Sequence, residues 1–226
     1  MSEKIKRYLI LLIGLMGTSL GIAFMVQAKL GTSPISSLPY VFSLRFTGVS
    51  LGTFTIIWNI LLILGEIVML RKDFRPFELL QFPVSLVFGW MIDGWKALLR
   101  FVEPKAYWAQ IALLLLGCAV LSFGVSFVIT ADTIMNPGEA FVSVLAGKCH
   151  KNFGSVKVVS DSAMVLLAIG ASFLFFGKLV GVREGTVIAA LISGFIIRFF
   201  RRLVEKPLAR FFAGKQTENG NVQEEA

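Results

Sequence analysis

Lys157 and Asp161 stand four residues apart in VKVVSDSAMVLL, a stretch that is otherwise largely apolar. That spacing puts an ammonium and a carboxylate on one helical face, within reach of each other. Ionisable groups at membrane depth are costly and mark a partner, a proton path or a substrate contact. Asp161 is the group able to exchange a proton, with Lys157 to neutralise it. The same pair also reads as a self-satisfied structural contact that orients one helix. Asn59 holds the equivalent position in an earlier stretch, LGTFTIIWN, where an amide replaces the carboxylate. Binding chemistry of a second kind comes from Ser33-Pro34-Ile35-Ser36-Ser37 and Asn136-Pro137-Gly138-Glu139. Each places an N-cap residue before a proline suited to the first turn of a helix. Free backbone N–H groups and the positive dipole end at such a start receive an anionic or carbonyl-bearing ligand. Glu139 falls at the same positive end and is able to satisfy it without a ligand; both segments also read as capped interfacial loops. The expected substrate contacts are therefore Ser33, Pro34, Ser36, Ser37, Asn59, Asn136, Pro137 and Glu139, with Lys157 and Asp161 as the coupling pair.

Other polar groups carry less. Glu66 lies on the Asn59 face seven residues on and is expected to snorkel toward Arg71. Asp93 is expected to cap an interfacial end or to meet Lys96. His150, the single histidine, sits beside Cys149 in a loop-like stretch with no partner for catalysis. No HExxH, Walker loop or pair of cysteines at ligand spacing occurs, so neither an enzyme nor a bound metal or cofactor is expected. Gly48-Val49-Ser50-Leu51-Gly52 has the outline of a hydrolase elbow, yet it runs into an apolar span with no His or acid to serve it.

The elements that hold these residues are membrane elements. Hydrophobic residues make up 56% of the chain, charged residues only 16%, and the mean hydropathy is +0.78, values that exclude an ordinary soluble domain. The net charge of +8 gathers at segment ends and in the tail, so it points to topology and not to nucleic acid. Six stretches approach the roughly 20 apolar residues that a membrane helix needs: 8–27, 52–70, 78–98, 108–130, 154–176 and 183–200. Two shorter ones, 35–46 and 138–148, are too short to cross comfortably and are expected to be re-entrant or broken helices. Irregular backbone at membrane depth is tolerated where it lines a cavity. The apolar N-terminus lacks a cleavage pattern and reads as a retained anchor.

The chain repeats itself. LLIGLMGTSLG lies over LLLGCAVLSFG, which matches Gly14 with Gly117 and Gly21 with Gly124. In the same order Pro34 matches Pro137, Gly52 matches Gly154, and Asn59 matches Asp161. Two membrane repeats are expected, 1–100 and 101–213, followed by a polar, disordered tail at 214–226. Lys and Arg predominate at the side holding both termini, Arg71 to Arg75 and Lys148 to Lys151, which makes that side cytoplasmic. Three spans per repeat invert the second copy; if the short stretches also cross, four spans leave the copies parallel. The glycine spacing (Gly17 with Gly21, Gly14 with Gly21, Gly117 with Gly124) suits close helix contact.

The order of these features, from the Gly14 to Gly21 span through Leu30-Gly31-Thr32-Ser33-Pro34, the Gly48 to Gly52 turn, Asn59 and Gly181-Val182-Arg183-Glu184-Gly185-Thr186 to Gly194, resembles the YczE/YitT group of bacterial membrane proteins. The resemblance implies a multi-pass protein of the bacterial inner membrane, with transport its usual assignment. Arg183 and Glu184 depart from the simpler glycine pattern expected in the last motif, and a short tail stands where longer members carry a soluble C-terminal domain, so no ligand sensing through such a domain is expected. The combined expectation is an all-α polytopic membrane protein of six transmembrane helices and two re-entrant helices in two pseudo-symmetric, inverted repeats. Its expected function is secondary transport of a small anionic or zwitterionic solute by alternating access. A non-transporting scaffold or regulatory partner, a permease subunit and a channel are the alternatives.

Overall fold

The computed structural model describes residues 3–213; the expected polar tail at 214–226 lies outside the described residues. Within that range the chain forms eight α-helices: α1 (Glu3–Gln27), α2 (Pro34–Arg45), α3 (Leu51–Leu70), α4 (Gln81–Leu98), α5 (Tyr107–Ala131), α6 (Pro137–Cys149), α7 (Phe153–Phe176) and α8 (Glu184–Ala213). Two short 3-10 turns link α3 to α4. Among the described residues there is no strand. Helices α1, α3, α5 and α7 are long and apolar enough to cross a bilayer. The other two expected spans are less clear-cut: α4 has 18 residues and carries Asp93 and Lys96, and α8 has 30 residues with a basic second half.

Helices α1 and α5 form the centre. They are the most buried of the four apolar helices, at 61% and 50% of their spans against 28% for α3 and 33% for α7. Glycine lets their backbones touch. A Cβ on Gly14 would lie 2.9 Å from the Gly124 carbonyl oxygen, and one on Gly21 would lie 2.7 Å from that of Gly117. The contact register rises along α1 as it falls along α5, so the two helices run antiparallel. Close approach of this kind replaces the hydrophobic effect as the source of cohesion between helices in lipid.

The halves then exchange their short helices. Helix α2 packs on α7 and α6 packs on α3, while α4 lies beside α1 and α8 beside α5. The outward faces are apolar at helical spacing: Ile57, Leu61, Leu64 and Val68 on α3, and Leu167 and Leu174 on α7 are all exposed. An exposed apolar surface of this extent suits lipid and not water.

One local expectation is corrected and another is met. Glu66 does not snorkel: it is 1% exposed, and Gln81 Nε2 donates to its Oε2 at 3.0 Å. The amide from the start of α4 gives the carboxylate a partner inside the protein. Asp93 caps a helix end, the first of its two expected roles, and the end is that of α3. Its carboxylate accepts from Ser50 Oγ at 2.5 Å and from the Gly52 N–H at 2.8 Å, satisfying donors at the start of α3. Helix α8 also runs past the expected end at Phe200. Val204, Leu208 and Phe212 recur every fourth residue and are buried, and Lys6 Nζ donates to the Phe211 carbonyl at 2.7 Å, which ties this extension to the start of α1.

Candidate functional site

The short helices start where the loops before them dip into the bundle. Leu30 and Thr32, ahead of α2, are fully buried. The two starts then meet: a Cβ on Gly138 would lie 2.8 Å from Ile35 Cδ1. Proline follows the N-cap residue in both, and neither Ser33 nor Asn136 spends its side chain on capping. The first turn of α6 holds Glu139, whereas the first turn of α2 has no acid. The starts therefore differ in charge although they match in form.

Beside them lies a cavity of about 50 Å³. Both halves of the chain contribute to it. Of the expected site residues, Ser33, Pro34, Ser36, Asn59, Asn136, Glu139, Lys157 and Asp161 line it. Ser37 and Pro137 do not; both are buried, and Ser37 Oγ donates to the Pro34 carbonyl at 2.6 Å, which turns it back onto its own helix. Ile22, Met25, Phe88 and Leu121 supply apolar wall. Thr18, Thr55 and Ser193 also face the cavity and were not expected there. Thr55 was findable, since it stands four residues before Asn59 on the same helical face.

Hydrogen bonding inside the cavity is uneven. Lys157 Nζ donates to Asp161 Oδ1 at 2.7 Å, and Asp161 is 5% exposed. Ser33 Oγ donates to Ser36 Oγ at 3.1 Å, leaving the Ser36 proton to be given elsewhere. Asn59 is 2% exposed, yet its Nδ2 finds no partner among the described residues; the same holds for Asn136 Oδ1 and Glu139 Oε2. A buried polar group without a partner costs about 1–3 kcal/mol. One donor and two acceptors are thus unpaired on residues that line the cavity. Among the described residues no three His, Cys, Asp or Glu side chains converge as metal ligands.

The two sides of the cavity are closed to different degrees. On one side Thr18, Val125, Asn136 and Glu139 also line a small void of about 10 Å³. This void shares Val128, Ile129 and Met135 with a hollow of about 280 Å³ beside Arg75, Glu78 and Asp132. On the other side the loop before α2 is bound to the start of α8. The Gly185 N–H donates to the Leu30 carbonyl at 2.9 Å, and the Thr32 N–H donates to Thr186 Oγ1 at 3.2 Å. Gly31 adopts φ +113°, and a Cβ there would lie 3.0 Å from the Thr186 nitrogen, so the two segments touch through backbone. Arg183 Nη1 reaches the Lys29 carbonyl at 3.2 Å. These contacts explain the Gly181 to Thr186 motif, whose job was not evident from its residues.

Comparison with known proteins places the chain in a family without assigning its activity. Residues 5–202 match the family of unknown function DUF6198, and the chain belongs to it. It is also similar to the uncharacterized protein YyaS of Bacillus subtilis (strain 168), at 21% identity over 201 residues, covering 88% of this chain and 94% of that protein. Neither match names the YczE/YitT group that the motif order resembles. No solved structure matches the chain.

Proposed function

We propose that this member of the DUF6198 family is a secondary transporter that moves a small anionic or zwitterionic solute across the bacterial inner membrane by alternating access. One observation carries the proposal: two short helices, one from each half, start head to head at a cavity whose largely apolar wall holds Ser33, Ser36, Asn59, Asn136, Glu139, Lys157 and Asp161. Transporters of inverted-repeat design bind at such broken-helix starts near the bilayer midplane. In this reading α1, α3, α4, α5, α7 and α8 span, while α2 and α6 are re-entrant. Residues 1–100 and 101–213 are then the two repeats, with both termini cytoplasmic.

The antiparallel contact of α1 with α5 supports inversion. With six spans α1 and α5 cross in opposite senses, whereas eight crossings would make them parallel. Matched glycines support it too, since Gly14 touches Gly124 and Gly117 touches Gly21, the reciprocal pattern of a two-fold axis perpendicular to both helices. The hollow beside Arg75 then faces the cytoplasm and the bound loops face outward, so the conformation is inward-facing. Closure of the outer loops disfavours an open channel. The tight Lys157 and Asp161 pair is the observation that favours a scaffold instead, because it needs no ligand. Flux into proteoliposomes separates the readings: the transporter saturates and loses flux on Asp161→Asn, and a scaffold moves no solute.

A further inference from the structure

The transport reading leaves the class of solute open between an anion and a zwitterion, and the unpaired groups of the cavity divide the two. The acceptors Asn136 Oδ1 and Glu139 Oε2 come from the N-cap and first turn of α6, and both residues also line the small void on the side of the Arg75 hollow. They ask for N–H donors. Donor chemistry lies elsewhere. Ser36 has a hydroxyl proton to give, α2 presents a positive helix start with no acid in its first turn, and Asn59 holds Nδ2 unpartnered at 2% exposure. These groups ask for an anion.

A simple anion would satisfy the α2 end and leave Glu139 facing it unpaired. A simple cation would satisfy Glu139 and leave the Asn59 amide and the Ser36 hydroxyl without acceptors. Lys157 pairs with Asp161 at 2.7 Å and its charge also reaches Glu139, so one ammonium is shared between two carboxylates and a second has a place beside Glu139. A molecule with charge of both signs at its two ends uses groups of both kinds. At about 50 Å³, against roughly 150 Å³ for a cavity that holds benzene, the site favours the most compact solutes and widens to admit one. We propose that the site takes a compact zwitterion, an amino acid no larger than alanine, with its carboxylate at the α2 start and Asn59 and its ammonium at Asn136 and Glu139. This rests on the transport reading of the same cavity and narrows it.

The test uses the full chain in lipid nanodiscs, titrated with glycine, acetate, methylammonium and leucine, and read by calorimetry and by the shift of the unfolding midpoint that a bound ligand produces. Glycine is expected to bind at least about tenfold more tightly than acetate or methylammonium, and leucine not at all. Glu139→Gln is expected to weaken glycine about tenfold without weakening acetate, and Ser36→Ala to weaken glycine and acetate together. Acetate or methylammonium binding as tightly as glycine overturns the proposal, and so does leucine binding as well as glycine. Absence of a glycine response in both readouts, with the variants equally well folded, also overturns it. The transport reading stands or falls separately, on whether a cysteine at Ser36 reacts from each side of the membrane.

Discussion

Thr186→Val perturbs the outer closure alone. Thr32 and Thr186 are both fully buried, and the hydroxyl at 186 is the partner of the Thr32 N–H at 3.2 Å. Valine keeps the branched shape and removes the acceptor. The Thr32 N–H is then a buried donor without a partner, at a cost of about 1–3 kcal/mol. Water pays that donor's debt in an outward-open conformation, so the cost falls on the closed one. The ratio of outward-open to closed forms rises by about 5-fold to 150-fold, since about 1.4 kcal/mol is a factor of ten. The Gly185 to Leu30 hydrogen bond remains, which keeps the loops in register. With Ser36→Cys as reporter and the native cysteines replaced, the rate of labelling by an impermeant thiol reagent from outside is expected to rise in that range. Thr186→Ser keeps the hydroxyl and is expected to leave the rate near that of the parent. Equal rates for the valine and serine variants would refute the idea that this bond holds the outer side shut.

Replacing Gly124 by alanine drives a methyl to 2.6 Å from the Gly14 carbonyl oxygen, so α1 and α5 must separate; loss of a monodisperse peak after detergent extraction is expected, while Gly170→Ala, which meets nothing within 4 Å, extracts normally. Asp161→Asn removes the carboxylate that Lys157 bonds, leaving a 20% exposed ammonium with Glu139 as its remaining counter-charge, and a cost below the roughly 3–5 kcal/mol of a fully broken buried pair lowers the thermal midpoint; adding Lys157→Met restores the midpoint but not solute flux. Gln81→Leu removes the amide that reaches Glu66 and is expected to destabilise by about 1–3 kcal/mol, seen as earlier thermal unfolding, with Gln81→Asn intermediate.

Local and periodic signals made much of this site legible. Gly14, Gly21, Gly117 and Gly124 stand at a spacing that only one face of a helix can share, and that face is the α1 and α5 contact. Proline after an N-cap residue marked both short helices, because the ring fixes φ and needs no donor. Ser37 shows the limit of reading a cluster: four hydroxyl or proline neighbours looked alike, but its hydroxyl is near enough to the Pro34 carbonyl to bond within its own turn. Glu66 was misplaced because its partner, Gln81, lies across a connection whose path sequence does not reveal. The bond from Thr32 to Thr186 joins residues 154 positions apart, and no periodicity carries such a pair. The length of α8 was hidden by Arg198, Arg201, Arg202, Glu205 and Lys206, although Val204, Leu208 and Phe212 already kept a helical period beneath those charges.

The most direct measurement is labelling of Ser36→Cys in oriented vesicles, in a chain with Cys118 and Cys149 replaced and with the impermeant reagent added from one side at a time. Alternating access requires reaction from the cytoplasmic side and slower reaction from the outside. A cysteine at Ser36 that stays unreactive from both sides, while one at the exposed Gly48 reacts, would contradict a cavity that opens to either face of the membrane.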